Sequence, residues 1–267
     1  ASLFVFIFFI YEVLHPSKSV YLFVLRYRSC LFSPTVLGNY SMLIILYMLI
    51  DLIKSKKKKV LSFLTLIINL ILLLFSGART PLLAILIILL FLPLIINIDT
   101  KNILRLCSIV VIFCIIVLII INNKNVQIRN SDITMFGTRG LTTRIQHLSR
   151  INSDLSLETI ILGKGLYVTE PPIDLFWYNI FLYFGVFGIF NYGSIIMLSI
   201  IRLKKISHNN ISNEIIFDKM IITIISFSIS LFTTNIIASF PLNFIYFSML
   251  GLSYNDLSLK SNTYYEK

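Results

Sequence analysis

Apolar residues in this chain fall in long blocks separated by short polar turns, and one polar stretch stands apart from the rest. The blocks lie at about 2–14, 35–53, 60–76, 81–98, 103–121, 174–201, 219–238 and 241–256. Most run for about 17 to 21 residues. At about 1.5 Å per helical residue, that length crosses roughly 30 Å of hydrocarbon. The pattern therefore predicts an all-α fold, a polytopic transmembrane helix bundle. The first block is too short for a full span, and the chain opens at Ala1, without Met, inside it. A longer protein continuing upstream is the expectation. Gly185, Gly188 and Gly193 sit inside the 174–201 block, where they are expected to let neighbouring helices approach closely.

From Asn122 to Ile173 the apolar blocks stop for roughly fifty residues. Three parts follow: N-terminal transmembrane helices over 1–121, a large loop over 122–173, and C-terminal transmembrane helices with a tail over 174–267. The loop is too apolar for a plain linker. Ile145, Leu148 and Ile151 recur at helical spacing between Thr142 and Ser153, which predicts a short amphipathic helix lying on the bundle or the membrane surface. Arg144 and Arg150 fall on the flanks of its apolar stripe.

Lysine and arginine in the short turns set the orientation, because cytoplasmic loops are enriched in them. Lys54 and Lys56 to Lys59 mark the turn after the second block as cytoplasmic. Alternation then puts 77–80 outside, 99–105 inside, 122–173 outside, 202–218 inside and the tail from Asn255 inside. Two basic segments land on the outer face against the rule. One is the first polar turn, with Lys18, Arg26 and Arg28. The other is the large loop, with Lys124, Arg129, Arg139, Arg144, Arg150 and Lys164. Cations held on the disfavoured face point to a bound anion.

Composition agrees with a membrane protein. Hydrophobic residues make up 57% of the chain and charged residues 13%, and the mean hydropathy is +0.89; an ordinary soluble domain is excluded. The net charge of +11 reads first as anchoring to anionic lipid headgroups and not as nucleic-acid binding. Cys30, Cys107 and Cys114 form no metal-ligand or disulfide spacing, so no metal site is expected.

The candidate chemistry gathers on the outer face. In Ser76-Gly77-Ala78-Arg79-Thr80-Pro81, Thr80 is read as an N-cap and Pro81 as the first helical residue. The helix N-terminus, its free N–H groups and Arg79 would together seat a phosphate. The plainer alternative is an arginine snorkelling to lipid headgroups. Arg28, Arg139 and Arg144 share that face, and Arg suits bidentate contact with phosphate oxygens. Against them stand Asp132, Asp154, Glu158 and Glu170, so a solvated mixed-charge surface stays open. Asp174, where the loop re-enters the membrane, is the first candidate base; Glu170 and His147 are others. Each also fits a structural role. No P-loop, GxGxxG, GxSxG or HExxH motif is present, and nothing here would bind ATP.

Ser76-Gly77-Ala78-Arg79-Thr80 followed by Leu82-Leu83-Ala84-Ile85-Leu86 resembles the "SGSR-x-x-LLALL" signature of the O-antigen polymerase and ligase superfamily. Thr143-Arg144 through Ile161-Leu162-Gly163-Lys164-Gly165-Leu166 looks like that family's loop segment. Asp174 followed by Gly185 and Gly188 is similar to its re-entry element, and Arg28, Phe32, Pro34 and Gly38 resemble its first turn. The resemblance covers about residues 26–195. Where the ligase branch usually carries His, this chain has Asp174, and Leu175 replaces the Asn that follows, which favours polymerase over ligase.

The resemblance implies a bacterial inner-membrane, multi-pass glycosyltransferase without metal or cofactor. It would join undecaprenyl-diphosphate-linked oligosaccharide repeat units in the periplasm, among membrane lipids and with a chain-length regulator protein as a candidate partner. Arg79, Arg139, Arg144, Arg28 and Thr80 would hold the diphosphate. Two alternatives remain beside it: an O-antigen ligase acting on lipid A core, and a flippase or transporter of lipid-linked oligosaccharide. The apolar blocks are nearly free of charge, which speaks against a translocation path.

Overall fold

The computed structural model of the chain describes residues 2–14, 31, 33–54, 59–96, 111, 156–165, 176–209, 214–231 and 242–254, without the side chains of Lys59, Arg79, His208 and Asn209. Of the described residues, 94% are helical and none is in a strand. The helices are α1 (Ser2–Leu14), α2 (Pro34–Lys54), α3 (Lys59–Ser76), α4 (Arg79–Ile95), α5 (Leu157–Leu162), α6 (Phe176–Asn209), α7 (Glu214–Ser230) and α8 (Leu242–Tyr254). The predicted block at 103–121 and the amphipathic helix at 142–153 lie outside the described residues.

Local chemistry explains several helix ends. Pro34 opens α2, where its missing N–H removes a donor that would have no partner. Ser33 caps it, its Oγ accepting from the Val36 N–H at 3.2 Å. Ser156 caps α5 in the same way, accepting from the Thr159 N–H at 3.2 Å, with Glu158 in the first turn. Gly163 ends α5 at a positive φ of 79°.

The chain forms two compact units, 1–98 with 192–267, and 99–191. In the first, α2 packs against α3, α4 and α7, α7 also against α4 and α8, and α1 against α3. The core is the meeting of α2 and α7. Leu37, Met42, Ile45, Leu46 and Ile50 are buried on α2, and Ile221, Ile222, Ile224 and Phe227 on α7. Polar side chains inside helices turn to their own backbone: Asn39 to the Thr35 carbonyl, Asn69 to Thr65, Ser199 to Ile195 and Ser228 to Ile224. These donors are satisfied within their own helices, as hydrocarbon requires, whereas the buried Oδ1 atoms of Asn39 and Asn69 have no partner among the described residues.

Among the described residues, two helices are long and apolar enough to cross a membrane, Pro34–Lys54 and Phe176–Ser207; Ser2–Leu14, Val60–Ser76 and Thr80–Ile95 are shorter apolar helices. α2 is mostly buried by its neighbours. α6 is different. Phe184, Phe187 and Phe190 are 54%, 64% and 68% exposed, and Met197, Leu198 and Ile201 continue the exposed apolar surface. In water a stripe this size would drive association; against lipid it is at no disadvantage.

Two sequence expectations need correction. α7 begins at Glu214 and α6 runs on to Asn209, so Arg202, Lys204, Lys205 and Asp218, all read as part of a turn, are helical. Of the three glycines in α6, only Gly185 admits a separate backbone. A methyl on Gly188 would meet its own helix at Phe184 and Ile180, and Gly193 faces open space.

Candidate functional site

The Ser76–Pro81 turn is the part of the predicted site that the structure describes. α3 ends at Ser76, whose buried Oγ donates to the Leu73 carbonyl at 2.7 Å. The Gly77 N–H donates to the Leu74 carbonyl at 3.2 Å. Gly77 then takes φ 63°, a left-handed conformation that glycine adopts without steric penalty, and the chain reverses. The Ala78 N–H donates to Ser76 Oγ at 3.2 Å. Ala78 is extended at φ −81°, ψ 119° and is the residue before the helix.

Arg79 is therefore the first helical residue of α4, and Thr80 is not the N-cap. Thr80 and Pro81 occupy the second and third helical positions. The cause is the Gly77 reversal with the Ser76 hydroxyl behind it, which starts the helix earlier than the Thr-Pro pair predicts. Pro81 remains compatible, because the first four N–H groups of a helix have no partner inside it. Ala78, the N-cap residue, makes no side-chain cap hydrogen bond, and the N-terminal partial charge of α4 is positive there.

The turn is seated on α2. A methyl placed on Gly38 would come within 2.6 Å of Ala78 Cβ, 3.0 Å of Ser76 Oγ and 3.2 Å of Pro81 Cγ. Gly38, Ala78 and Pro81 are buried. Small residues on both sides bring the backbone at Arg79 against the N-terminal part of α2, and Gly38 is a contributor that the spacing of charges alone does not reveal.

The other predicted site residues, Arg28, Arg139, Arg144, His147, Glu170 and Asp174, lie outside the described residues. Two segments that the resemblance singled out do meet, within residues 99–191. Gly163, after α5, lies against Tyr183 and Phe184. Gly185, where α6 is broken at φ 63°, ψ −157°, lies against Ile161 and Gly163. The Lys164 N–H donates to the Leu182 carbonyl at 2.7 Å.

The opposite end of α2 carries charge. Lys54 contacts Glu214 at 2.5 Å and Asp218 at 2.6 Å, and Lys219 contacts Asp51 at 2.6 Å. Lys219 also lies 5.7 Å from the Tyr47 ring, and the Tyr47 hydroxyl bonds Thr223 at 2.5 Å. The C-terminal end of α2 and the start of α7 thus meet at one end of the α2–α7 pair. Three carboxylates here meet two ammonium groups, and no cluster of three His, Cys, Asp or Glu suited to a metal occurs among the described residues.

Compared with protein-family models, with curated proteins and with solved structures, the chain matches none.

Proposed function

We propose that this protein is a multi-pass inner-membrane glycosyltransferase that polymerises undecaprenyl-diphosphate-linked oligosaccharide repeat units into a surface polysaccharide on the periplasmic face. The observation that carries the reading is the Ser76–Pro81 turn: a glycine reversal delivers Arg79 as the first residue of an apolar helix whose N-cap residue is Ala78. An arginine at a helix N-terminus combines a guanidinium with a positive dipole end, the combination that suits a diphosphate.

In the reaction, the terminal hydroxyl oxygen of one repeat unit attacks the anomeric carbon of another. The bond from that carbon to the diphosphate oxygen breaks, and the lipid diphosphate leaves with the electron pair. Asp174, with Glu170 and His147 as alternatives, takes the hydroxyl proton. Arg79, with Arg28, Arg139 and Arg144, stabilises the charge that grows on the leaving diphosphate, and the Thr80 hydroxyl adds a neutral donor. A donor placed where charge develops is worth on the order of 10² to 10³ in rate.

The test is the lipopolysaccharide ladder of a deletion strain complemented with variants. Arg79→Ala should abolish long chains while the protein remains at normal level in the membrane, leaving single repeat units attached to lipid A core. Arg79→Lys should also be impaired, because an ammonium cannot reproduce the planar bidentate fork. Asp174→Asn should behave like Arg79→Ala if it is the base. A normal ladder in Arg79→Ala would overturn the reading. Loss of the single unit as well would move the activity to ligation.

A further inference from the structure

Gly163 and Gly185 are separated by more than a full helical span in sequence context, yet each fills the space where the other segment would need a side chain. A methyl on Gly163 would lie 2.4 Å from the Tyr183 carbonyl carbon and oxygen and 2.5 Å from the Phe184 nitrogen. A methyl on Gly185 would lie 2.3 Å from the Ile161 oxygen, 2.5 Å from its carbonyl carbon and 2.7 Å from the Gly163 nitrogen. The obstructing atoms are all backbone, so no side-chain rotation can make room. Both glycines also hold conformations open essentially to glycine alone: φ 79°, ψ 173° at Gly163 and φ 63°, ψ −157° at Gly185. Such a conformation is strained in any other amino acid and persists only where its surroundings enforce it.

The break at Gly185 leaves a place for an outside donor. In an unbroken helix the Leu182 carbonyl would accept from the N–H four residues on; here it accepts from the Lys164 N–H at 2.7 Å. The break in α6 and the close of α5 are thus one structure, a backbone clasp in which each half satisfies or makes way for the other.

We propose that this clasp is a positioning device for the reaction proposed above, on which that role rests. It fixes Ile161, Gly163 and Lys164, at the close of α5, to Leu182–Gly185 of α6. Gly163, Gly185 and the Lys164 N–H are its positioning residues, acting through the register they impose and not by touching substrate.

Hydrogen exchange on the full-length protein in lipid nanodiscs reads the clasp directly. The Lys164 amide should exchange slowly in the wild type. Gly163→Ala, Gly185→Ala and Lys164→Pro should each abolish donation to Leu182, the first two with loss of slow exchange at Lys164. Gly165→Ala, at positive φ but with no atom near its added methyl, separates strain from collision and should keep Lys164 protected. Gly193→Ala, in open space, should change neither exchange nor ladder.

The role is read from the polysaccharide. The clasp variants should shorten or abolish the ladder at normal membrane levels of protein; Lys164→Pro, whose ring carbon takes the place of the donated hydrogen, breaks the contact at the donor instead of at the glycines. Rapid exchange at Lys164 in the wild type would overturn the clasp. A normal ladder in variants that have lost protection would overturn its positioning role and leave the glycosyltransferase reading standing. A normal ladder in Arg79→Ala would instead remove that reading and leave the clasp, established by exchange, in place.

Discussion

At the scale of single residues, helix starts follow local cap chemistry where that chemistry is complete within a few positions. Ser33-Pro34 and Ser156 behave as their types predict, because a hydroxyl acceptor two or three residues before a free N–H needs nothing from the rest of the fold. Thr80-Pro81 carries an equally good cap signal, and the helix nonetheless starts at Arg79. The deciding contacts come from Ser76 and from the left-handed Gly77, and behind them from Gly38 on another helix. That last contact makes a clean prediction. Gly38→Ala puts a methyl 2.6 Å from Ala78 Cβ and should destabilise the protein by about 1–3 kcal/mol through overpacking. Ala78→Gly removes the opposing atom, so the double variant should recover most of that loss. The check is thermal unfolding of the purified protein in detergent, with all three variants measured alongside the wild type. Equal loss in the single and double variants would mean that the seat of the turn is not where Gly38 meets Ala78.

At the scale of elements, apolar blocks gave the ends of α1, α2, α3, α4 and α8 to within about three residues, missed α5, and misplaced the end of α6 and the start of α7. α7 starts several residues before its apolar block, since Glu214, Asp218 and Lys219 are held in helix by partners on α2. Sequence spacing cannot show that Lys54 and Asp218 face each other, because the pairing depends on how two helices distant in sequence dock. The Gly185 break was hidden for a related reason: three glycines look alike until one of them meets the backbone of another segment. The ion pairs allow a graded test. The Lys54 side chain is 12% exposed and that of Asp218 5%, so Lys54→Met strands a buried carboxylate and should lower stability by about 3–5 kcal/mol. Glu214, at 33%, is near enough to water for Glu214→Gln to cost only about 1 kcal/mol or less. Unfolding midpoints of the two variants should therefore separate clearly; similar midpoints would show that Asp218 finds water or another cation once Lys54 is gone.

At the scale of the whole molecule, the side of the membrane is the quantity on which the proposed chemistry depends most. The lysines after α2 assign one end of that helix to the cytoplasm. Gly38 lies near the other end, and α2 runs about 1.5 Å per residue between them, so the Ser76–Pro81 turn and the Lys54 network occupy opposite ends of a single helix. If the lysines are read correctly, Arg79 faces the periplasm, where lipid-linked repeat units would have to be presented. The large loop must emerge on the same face for Arg139 and Arg144 to reach the same diphosphate. A cysteine-free background, made by replacing Cys30, Cys107 and Cys114, allows single cysteines to be read with a membrane-impermeant maleimide. Thr142→Cys should be labelled in cells whose outer membrane alone is opened, whereas Lys57→Cys and Lys205→Cys should be labelled only once the inner membrane is breached. The reverse pattern would put the loop arginines in the cytosol, away from any periplasmic substrate. It would also turn their positive charge from an exception that calls for a ligand into the ordinary bias of a cytoplasmic loop.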